Sequence, residues 1–347
     1  MTTLTPSLHI AHPILQGPMT GSDTPALAIA VSQEGGLGML GCGMRSPTAM
    51  REAAAQVRAA TDKPFGMNLF VLPQPTPDPR AVEAALQRLA PLYAEFGLEP
   101  SVPAQWCEDF DAQFDTLVEL RPPVSSFTFG ILTPAQVQRL KAVGSDVIGT
   151  ATTVEEAVAW QDVGADAVVV SGMEAGGHRG TFLGDFDASM IGTLALVPQC
   201  VDRVSIPVIA AGGIMDGRGI AASLALGAQA VQMGTAFLVC PESGIGPAYR
   251  DAMARATATD TRTTRVYSGR YARGIVNTMM DRLMADEAAI PEYPIQNALT
   301  GALRRASAAA GRSDYLSLWA GQGVANARVM PAGALVKTLA RELQQSQ

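Results

Sequence analysis

The segment Glu174-Ala-Gly-Gly-His178-Arg-Gly180 gathers one imidazole, one carboxylate and three glycines into seven residues. Glycine lets main chain come close to a flat ligand, and histidine exchanges a proton near neutral pH. The combination therefore suits a general base or a hydrogen-bond partner for an anionic substrate. The chain has only three histidines. His9 and His12 precede the first expected strand and read as structural. A lone histidine is more often a satisfied structural group than a catalyst, but His178 closes a glycine loop, and that position favours chemistry. Glu174 reads as a brace for the loop rather than a catalyst, and Arg179 as an anchor for neighbouring loops.

Something rigid has to present this loop. Ala167-Val-Val-Val170, immediately before Ser171-Gly172, is apolar without alternation, as expected of a parallel strand buried on both faces. Seven more short strands are expected at 12–17, 38–41, 65–70, 123–130, 146–150, 207–211 and 230–235, mostly separated by one helix each. Ser46 before Pro47 caps a helix running to Ala60. Thr153 with Glu156 is expected to form a capping box for the helix immediately before the loop's own strand. Helices are also expected at 24–32, 188–203 and 217–226. Eight alternating units favour a closed (β/α)8 TIM barrel, because right-handed crossovers coil a parallel sheet about one axis and closure removes its edges.

Two stretches interrupt the alternation. Pro73, Pro75, Pro77 and Pro79 introduce an insertion at 73–104 with a helix over 79–96, and beyond Pro241 the pattern turns helical (247–258, 269–285, 295–309, 333–345) with no further buried strand expected. The expected division is a barrel of 1–72 and 105–250, with 73–104 and 251–347 as an additional helical segment over the C-terminal face, a substrate-side lid.

In such barrels ligands bind where strands end, and the last two loops commonly hold a phosphate through backbone N–H groups. Gly212-Gly213 and Gln232-Met233-Gly234-Thr235 suit that task, so a phosphate-bearing cofactor with a flat ring is expected. The ring would lie between Gly17-Pro18-Met19, Asn68 and the Gly176-Gly177-His178 loop. By contrast, Gly36-Leu-Gly38-Met-Leu-Gly41 matches a dinucleotide-binding spacing in letters only, since a helix precedes it and the strand lies within it.

Bulk properties narrow the classes. The chain has 347 residues and a formal net charge of −7, which argues against nucleic acid and anionic membranes as partners. No apolar run approaches the roughly 20 residues that span a bilayer, and the N-terminus lacks the pattern of a secretory leader. Cys42, Cys107, Cys200 and Cys240 have no metal-ligand spacing and are expected to be reduced, as in the cytoplasm. No metal is expected, and the protein is expected to be a monomer or homodimer.

Taken with Gln16-Gly-Pro-Met19, Gly66-Met-Asn68, Ala210-Ala-Gly-Gly213, Tyr293-Pro-Ile-Gln-Asn297 and Trp319-Ala-Gly-Gln-Gly323, the loop resembles the class I nitronate monooxygenases, formerly 2-nitropropane dioxygenases, over nearly the whole chain. The resemblance implies FMN as cofactor, with binding residues at Gly17, Met19, Asn68, Ser171, Gly176, Gly213 and 232–235, and His178 as the active-site histidine. It departs at Thr128, where members often carry a second histidine, and at Ser171, where glutamine is usual. Thr128 and Tyr293 are expected in the substrate pocket; the sequence leaves Tyr267 and Tyr271 open.

The implied reaction is oxidation of an anionic alkyl nitronate, such as propionate 3-nitronate, by molecular oxygen to a carbonyl compound and nitrite. Two other readings stand beside it. One is an NAD(P)H-dependent enoyl-thioester or quinone reductase on the same barrel, whose members share part of the glycine-histidine loop. The other is a flavin-binding protein with little catalysis.

Overall fold

The computed structural model describes residues 4–346. Eight parallel strands form one sheet: β1 (Ile14–Gln16), β2 (Gly38–Gly41), β3 (Phe65–Phe70), β4 (Val124–Thr128), β5 (Asp146–Ala151), β6 (Ala167–Ser171), and, after a two-residue strand β7 (Gly177–His178) outside the sheet, β8 (Val208–Ala211) and β9 (Ala230–Met233). β1 pairs with β9, and a parallel bridge between Leu15 and Leu37 joins β1 to the start of β2. The Gln16 N–H donates to the Leu37 carbonyl and the Leu37 N–H to that of Ile14, both at 2.9 Å, closing the expected (β/α)8 barrel.

Burial on both strand faces explains the unbroken apolar runs. Val169, Leu15, Met39, Ile148 and Ile209 fill the barrel interior together with Leu4, Leu8 and Ile10 from the N-terminal segment. Val168 and Val170 face outward into the layer between strands and helices. The two β6 sets alternate as a pleated strand requires.

Local signals placed most elements. Ser46 caps the helix Pro47–Ala60 by accepting from the Ala49 N–H at 3.3 Å. The capping box is a correction. Thr153 does accept from the Glu156 N–H, but the Glu156 carboxylate turns inward, accepting from the Thr152 N–H (2.6 Å) and the Leu183 N–H (2.8 Å). A reciprocal box forms instead at Thr133 and Gln136. The expected helix 188–203 begins later, at Thr193–Val201, after a short 3-10 turn. Phe110–Leu120 is a helix that periodicity did not single out; it packs on Pro47–Ala60 and β3.

The tail differs most from expectation. β10 (Thr261–Thr264) and the fully buried β11 (Ala272–Ile275) pair antiparallel, and β11 also pairs with β7, so a three-stranded sheet occupies part of what was read as helix. The insertion helix Pro79–Ala94 shares an apolar cluster with the tail, where Val82, Leu89 and Tyr93 meet Tyr267, Met280 and Leu303. The last helix, Ala332–Gln345, goes elsewhere: Leu335, Val336 and Leu339 join the main barrel cluster. No helix among the described residues is long and apolar enough to cross a membrane.

The dinucleotide-like glycines have a packing role. A Cβ on Gly38 would sit 2.0 Å from the Ala28 carbonyl oxygen, so the helix Pro25–Gln33 lies directly on this strand. Gly38→Ala is therefore expected to lower stability by about 1–3 kcal/mol. Urea unfolding checks this, and an unchanged midpoint would show that the helix does not sit there.

Candidate active site

The loops following the barrel strands surround a cavity of about 680 Å³, a size suited to a cofactor with a small ligand. Gly17, Pro18, Met19, Asn68, Thr128, Ser171, Gly176, Gly177, His178, Gly212, Gly213, Gln232, Gly234, Thr235 and Tyr293 all line it. Met233 does not: its side chain is buried in the main core, and only its carbonyl contributes, accepting from the Gly17 N–H at 2.8 Å. Tyr249 joins Tyr293 on the wall, its hydroxyl donating to the Trp319 carbonyl at 2.6 Å. Tyr267 and Tyr271 are not on the lining; Tyr271 stacks on Phe186 at 3.7 Å between ring centroids.

The first turn is held by a residue the sequence reading passed over. One Asp23 carboxylate oxygen accepts from the Met19 and Gly41 N–H groups, each at 2.7 Å, and the other meets Arg45 at 3.1 Å. Burial raises the Asp23 pKa, against the lowering effect of these partners. Asn68 is fixed by donating to Ser126 Oγ at 2.9 Å.

Two guanidiniums tie down the loop after β6. Arg179 donates to the carbonyls of Ser171 (2.7 Å), Gly172 (2.8 Å) and Ser189 (2.8 Å), and Arg273 to that of Met173 (3.0 Å). Burial pulls the Arg179 pKa down to about 10, opposed by the Glu156 and Glu174 charges. Glu174 accepts from Thr193 through its N–H (3.0 Å) and hydroxyl (2.8 Å), which is bracing. At Gly176 a Cβ would come within 2.4 Å of the Gly321 nitrogen, so the 319–323 segment closes tightly over the loop.

His178 pairs with Ala272 in the small sheet, and its Nε2 lies 2.8 Å from Ser268 Oγ. Ser268 is buried; its hydroxyl donates to the Arg270 carbonyl (3.1 Å), while its oxygen faces the Arg270 N–H at 3.3 Å. A hydroxyl has one proton: placed on the Arg270 carbonyl, it leaves Ser268 to accept from a hydrogen on Nε2; placed across the shorter contact to Nε2, it puts the ring hydrogen on Nδ1. No protein partner meets Nδ1 among the described residues, and in the first tautomer it carries a lone pair. The ring stands against Trp319 (5.2 Å), Phe129 (5.3 Å) and Tyr293 (5.8 Å). Burial, reinforced by the charges of Arg270 and Arg304, lowers the His178 pKa to about 3. The imidazole is therefore neutral near pH 7. With the hydrogen on Nε2 it can accept a proton at Nδ1, and its one N–H is engaged with Ser268.

Thr128 ends β4, and Phe129 follows with φ of 77°, left-handed and strained for a bulky residue. That turn stacks Phe129 on Phe70 (4.2 Å) and sets it under the Arg270 guanidinium (4.2 Å). Ser268, Arg270 and Arg304 were not legible as site residues. They come from the tail, where the sequence offered only helix-like Ala and Arg content.

The glycine turns at the other end leave donors free. Among the described residues no protein acceptor meets the N–H groups of Gly213 (φ 71°), Gly234 or Thr235, and a Cβ at Gly234 would face open space, with only Met19 Sδ at 3.9 Å. The Thr235 hydroxyl oxygen accepts from the Gly321 N–H at 3.0 Å. This cradle fits a phosphate at the end of a flat group. No cluster of three or more His, Cys, Asp or Glu able to hold a metal occurs among the described residues. Burial pushes the thiols of Cys42, Cys200 and Cys240 up to about 12, which leaves no thiolate nucleophile among those three.

Known proteins match this chain throughout. A family model described as nitronate monooxygenase covers residues 1–342. A nitronate monooxygenase of Pseudomonas aeruginosa strain PAO1 is 48% identical over 343 residues, covering 97% of each chain. Among solved structures, a nitroalkane oxidase from Streptomyces ansochromogenes superposes with a TM-score of 0.92 at 41% identity, covering 99% of this chain and 98% of that one. FabK from Thermotoga maritima gives 0.78 at 32%, with 100% and 97% covered.

The His178 environment sets a pH dependence. Its folded pKa of about 3 lies below the ordinary 6.5, so the unfolded chain binds the extra proton first as pH falls. The stabilising contribution is complete above about pH 6.5 and is lost progressively toward pH 3. The His178 ring resonances are expected not to titrate between about pH 5 and 8, and His178→Asn should flatten the acid limb of stability against pH. A ring titrating near 6.5 would contradict this environment.

Proposed function

The chain belongs to the nitronate monooxygenase family, and from that premise we propose that it uses FMN to oxidise alkyl nitronates, propionate 3-nitronate among them, with molecular oxygen to a carbonyl compound and nitrite. The observation that carries the reading is a neutral imidazole with an unclaimed Nδ1 in the same cavity as a set of unpaired glycine N–H groups. The first is suited to an acidic C–H, the second to a phosphorylated flat cofactor.

In this reading Gly213, Gly234 and Thr235 hold the FMN phosphate, and Gly17, Pro18, Met19, Asn68, Ser171, Gly176, Gly177, Gly212 and Gln232 border the ring. Met233 acts indirectly, its carbonyl holding the Gly17 N–H. A bound flavin supplies the electron acceptance that an electron-rich nitronate carbon needs before oxygen can react with it. The protein supplies placement and a water-poor pocket: Phe70, Phe129, Tyr293 and Trp319 wall the region around His178. His178 takes the α-proton when the neutral nitroalkane enters, with Nδ1 as the accepting atom. A nitronate has already lost that proton and does not need the step. Ser268 is a positioning residue that keeps the hydrogen on Nε2. Thr128 and Ser171 present short neutral hydroxyls to the cavity and add no charge to it. The apolar cluster shared by the insertion and the tail serves as the substrate-side lid, while the helix Ala332–Gln345 belongs with the barrel.

An enoyl-thioester reductase on this barrel is the less supported alternative, since the FabK likeness is weaker in both identity and superposition than the nitroalkane oxidase likeness. Anaerobic mixing separates the two: nitronate, and not NAD(P)H, is expected to bleach the flavin.

Purified protein should release FMN on denaturation and form nitrite from propionate 3-nitronate in air; holoprotein that forms none sinks the reading. His178→Asn is expected to lower kcat/KM for a neutral nitroalkane by about 10²–10⁴, with a far smaller change for the nitronate. Ser268→Ala should cost the nitroalkane reaction about 5- to 10-fold through the lost hydrogen bond, again sparing the nitronate relative to it. Equal losses on both substrates would mean that Ser268 supports the fold and not the base.

A further inference from the structure

Arg304 lines the cavity, and no carboxylate among the described residues pairs with it. Its Nη2 donates to the Asn297 carbonyl (2.8 Å) and to Asn297 Oδ1 (2.9 Å), while its Nε is buried without an acceptor. A guanidinium has five N–H donors, and no other hydrogen bond from this one is found among the described residues. The groups that favour its charge are Tyr293, Tyr93 and Tyr267, whereas Arg305 opposes it and burial pulls its pKa down. Asp251, also on the lining, is exposed and forms no ion pair with it.

The other guanidiniums of the site are more fully committed, although Arg179 too has a buried Nε without an acceptor. Arg179 and Arg273 hold loop carbonyls, and Arg270 donates to the carbonyls of Arg179 and Thr181. Arg304 is anchored on one side by a single residue and left open on the other. A cation withdrawn from water without a counter-charge is costly, so its partner is sought in what enters the cavity. His178 lacks the charge for that role, being neutral, and its Nε2 is engaged with Ser268.

We propose that Arg304 is the receptor for a planar two-oxygen anion carried by the substrate, an assignment that rests on the reading of the site as nitronate-oxidising. Guanidinium and such an anion match in shape and charge, and their hydrogen bonds are among the strong ones. The anion has two possible sources on one substrate class: the nitronate group itself, or a carboxylate at the far end of the molecule.

The test compares wild type, Arg304→Met and Arg304→Lys as flavin-loaded protein on propionate 3-nitronate, propyl 1-nitronate and neutral 1-nitropropane. Arg304→Met is expected to raise KM for an anionic substrate by at least about 30-fold, and by at least about ten times more than for 1-nitropropane, with Arg304→Lys recovering most of the loss. A larger loss for propionate 3-nitronate than for propyl 1-nitronate assigns Arg304 to the carboxylate; equal losses assign it to the nitronate group. The same change for all three substrates, or none, overturns the proposal. Arg304→Gln provides the comparison if the methionine variant does not fold. Calorimetric titration with 3-nitropropionate needs no turnover. If wild type forms no nitrite yet binds this anion at least about tenfold more tightly than the variant, the functional reading fails and the Arg304 assignment stands. Active wild type with unchanged KM in the variants gives the reverse.

Discussion

One contact organises the site: the 2.8 Å hydrogen bond between His178 Nε2 and Ser268 Oγ. It joins the barrel to the tail, because His178 lies on the short strand after β6 and Ser268 in the turn between β10 and β11. The pairing of β7 with β11 brings the two together, and Arg179 and Arg273 fix the loop that leads to them by holding four of its neighbouring carbonyls. Without the tail sheet the imidazole would lack both its Nε2 partner and its wall. Barrel and tail are thus chemically interdependent even where their apolar cores are separate.

The electrostatics follow from that placement. Burying a histidine beside two guanidiniums keeps it neutral, so the cavity holds a base without holding a second cation. The positive charge is displaced onto residues that do not titrate near pH 7, of which Arg270 is spent on carbonyls and on the Phe129 ring. The strained Phe129 belongs to this arrangement, since its left-handed turn presents one ring to Phe70, Arg270 and His178 at once.

The barrel was readable because its information is local. Apolar runs such as Val168-Val-Val170 state burial on both faces, and Ser46-Pro47 states where a helix starts. Glu156 shows where that reading fails: its spacing from Thr153 fits a capping box, but its carboxylate does more by satisfying the backbone of the 181–183 loop, a partner that sequence distance conceals. β11 was missed for a related reason. Ala272-Arg-Gly-Ile275 has little β character of its own, and its pairing is paid for by partners at 261–264 and 177–178.

By itself the sequence determined the eight-stranded barrel, the glycine turns at its rim and the placement of His178 on that rim, because strand burial and backbone freedom are properties of residues and their near neighbours. Only the tertiary structure decided that Met233 faces the core, that Ser268 meets the histidine's Nε2, and that Arg304 stands in the cavity without a counter-charge among the described residues. Those facts depend on which distant groups share a desolvated space, and no local pattern encodes that.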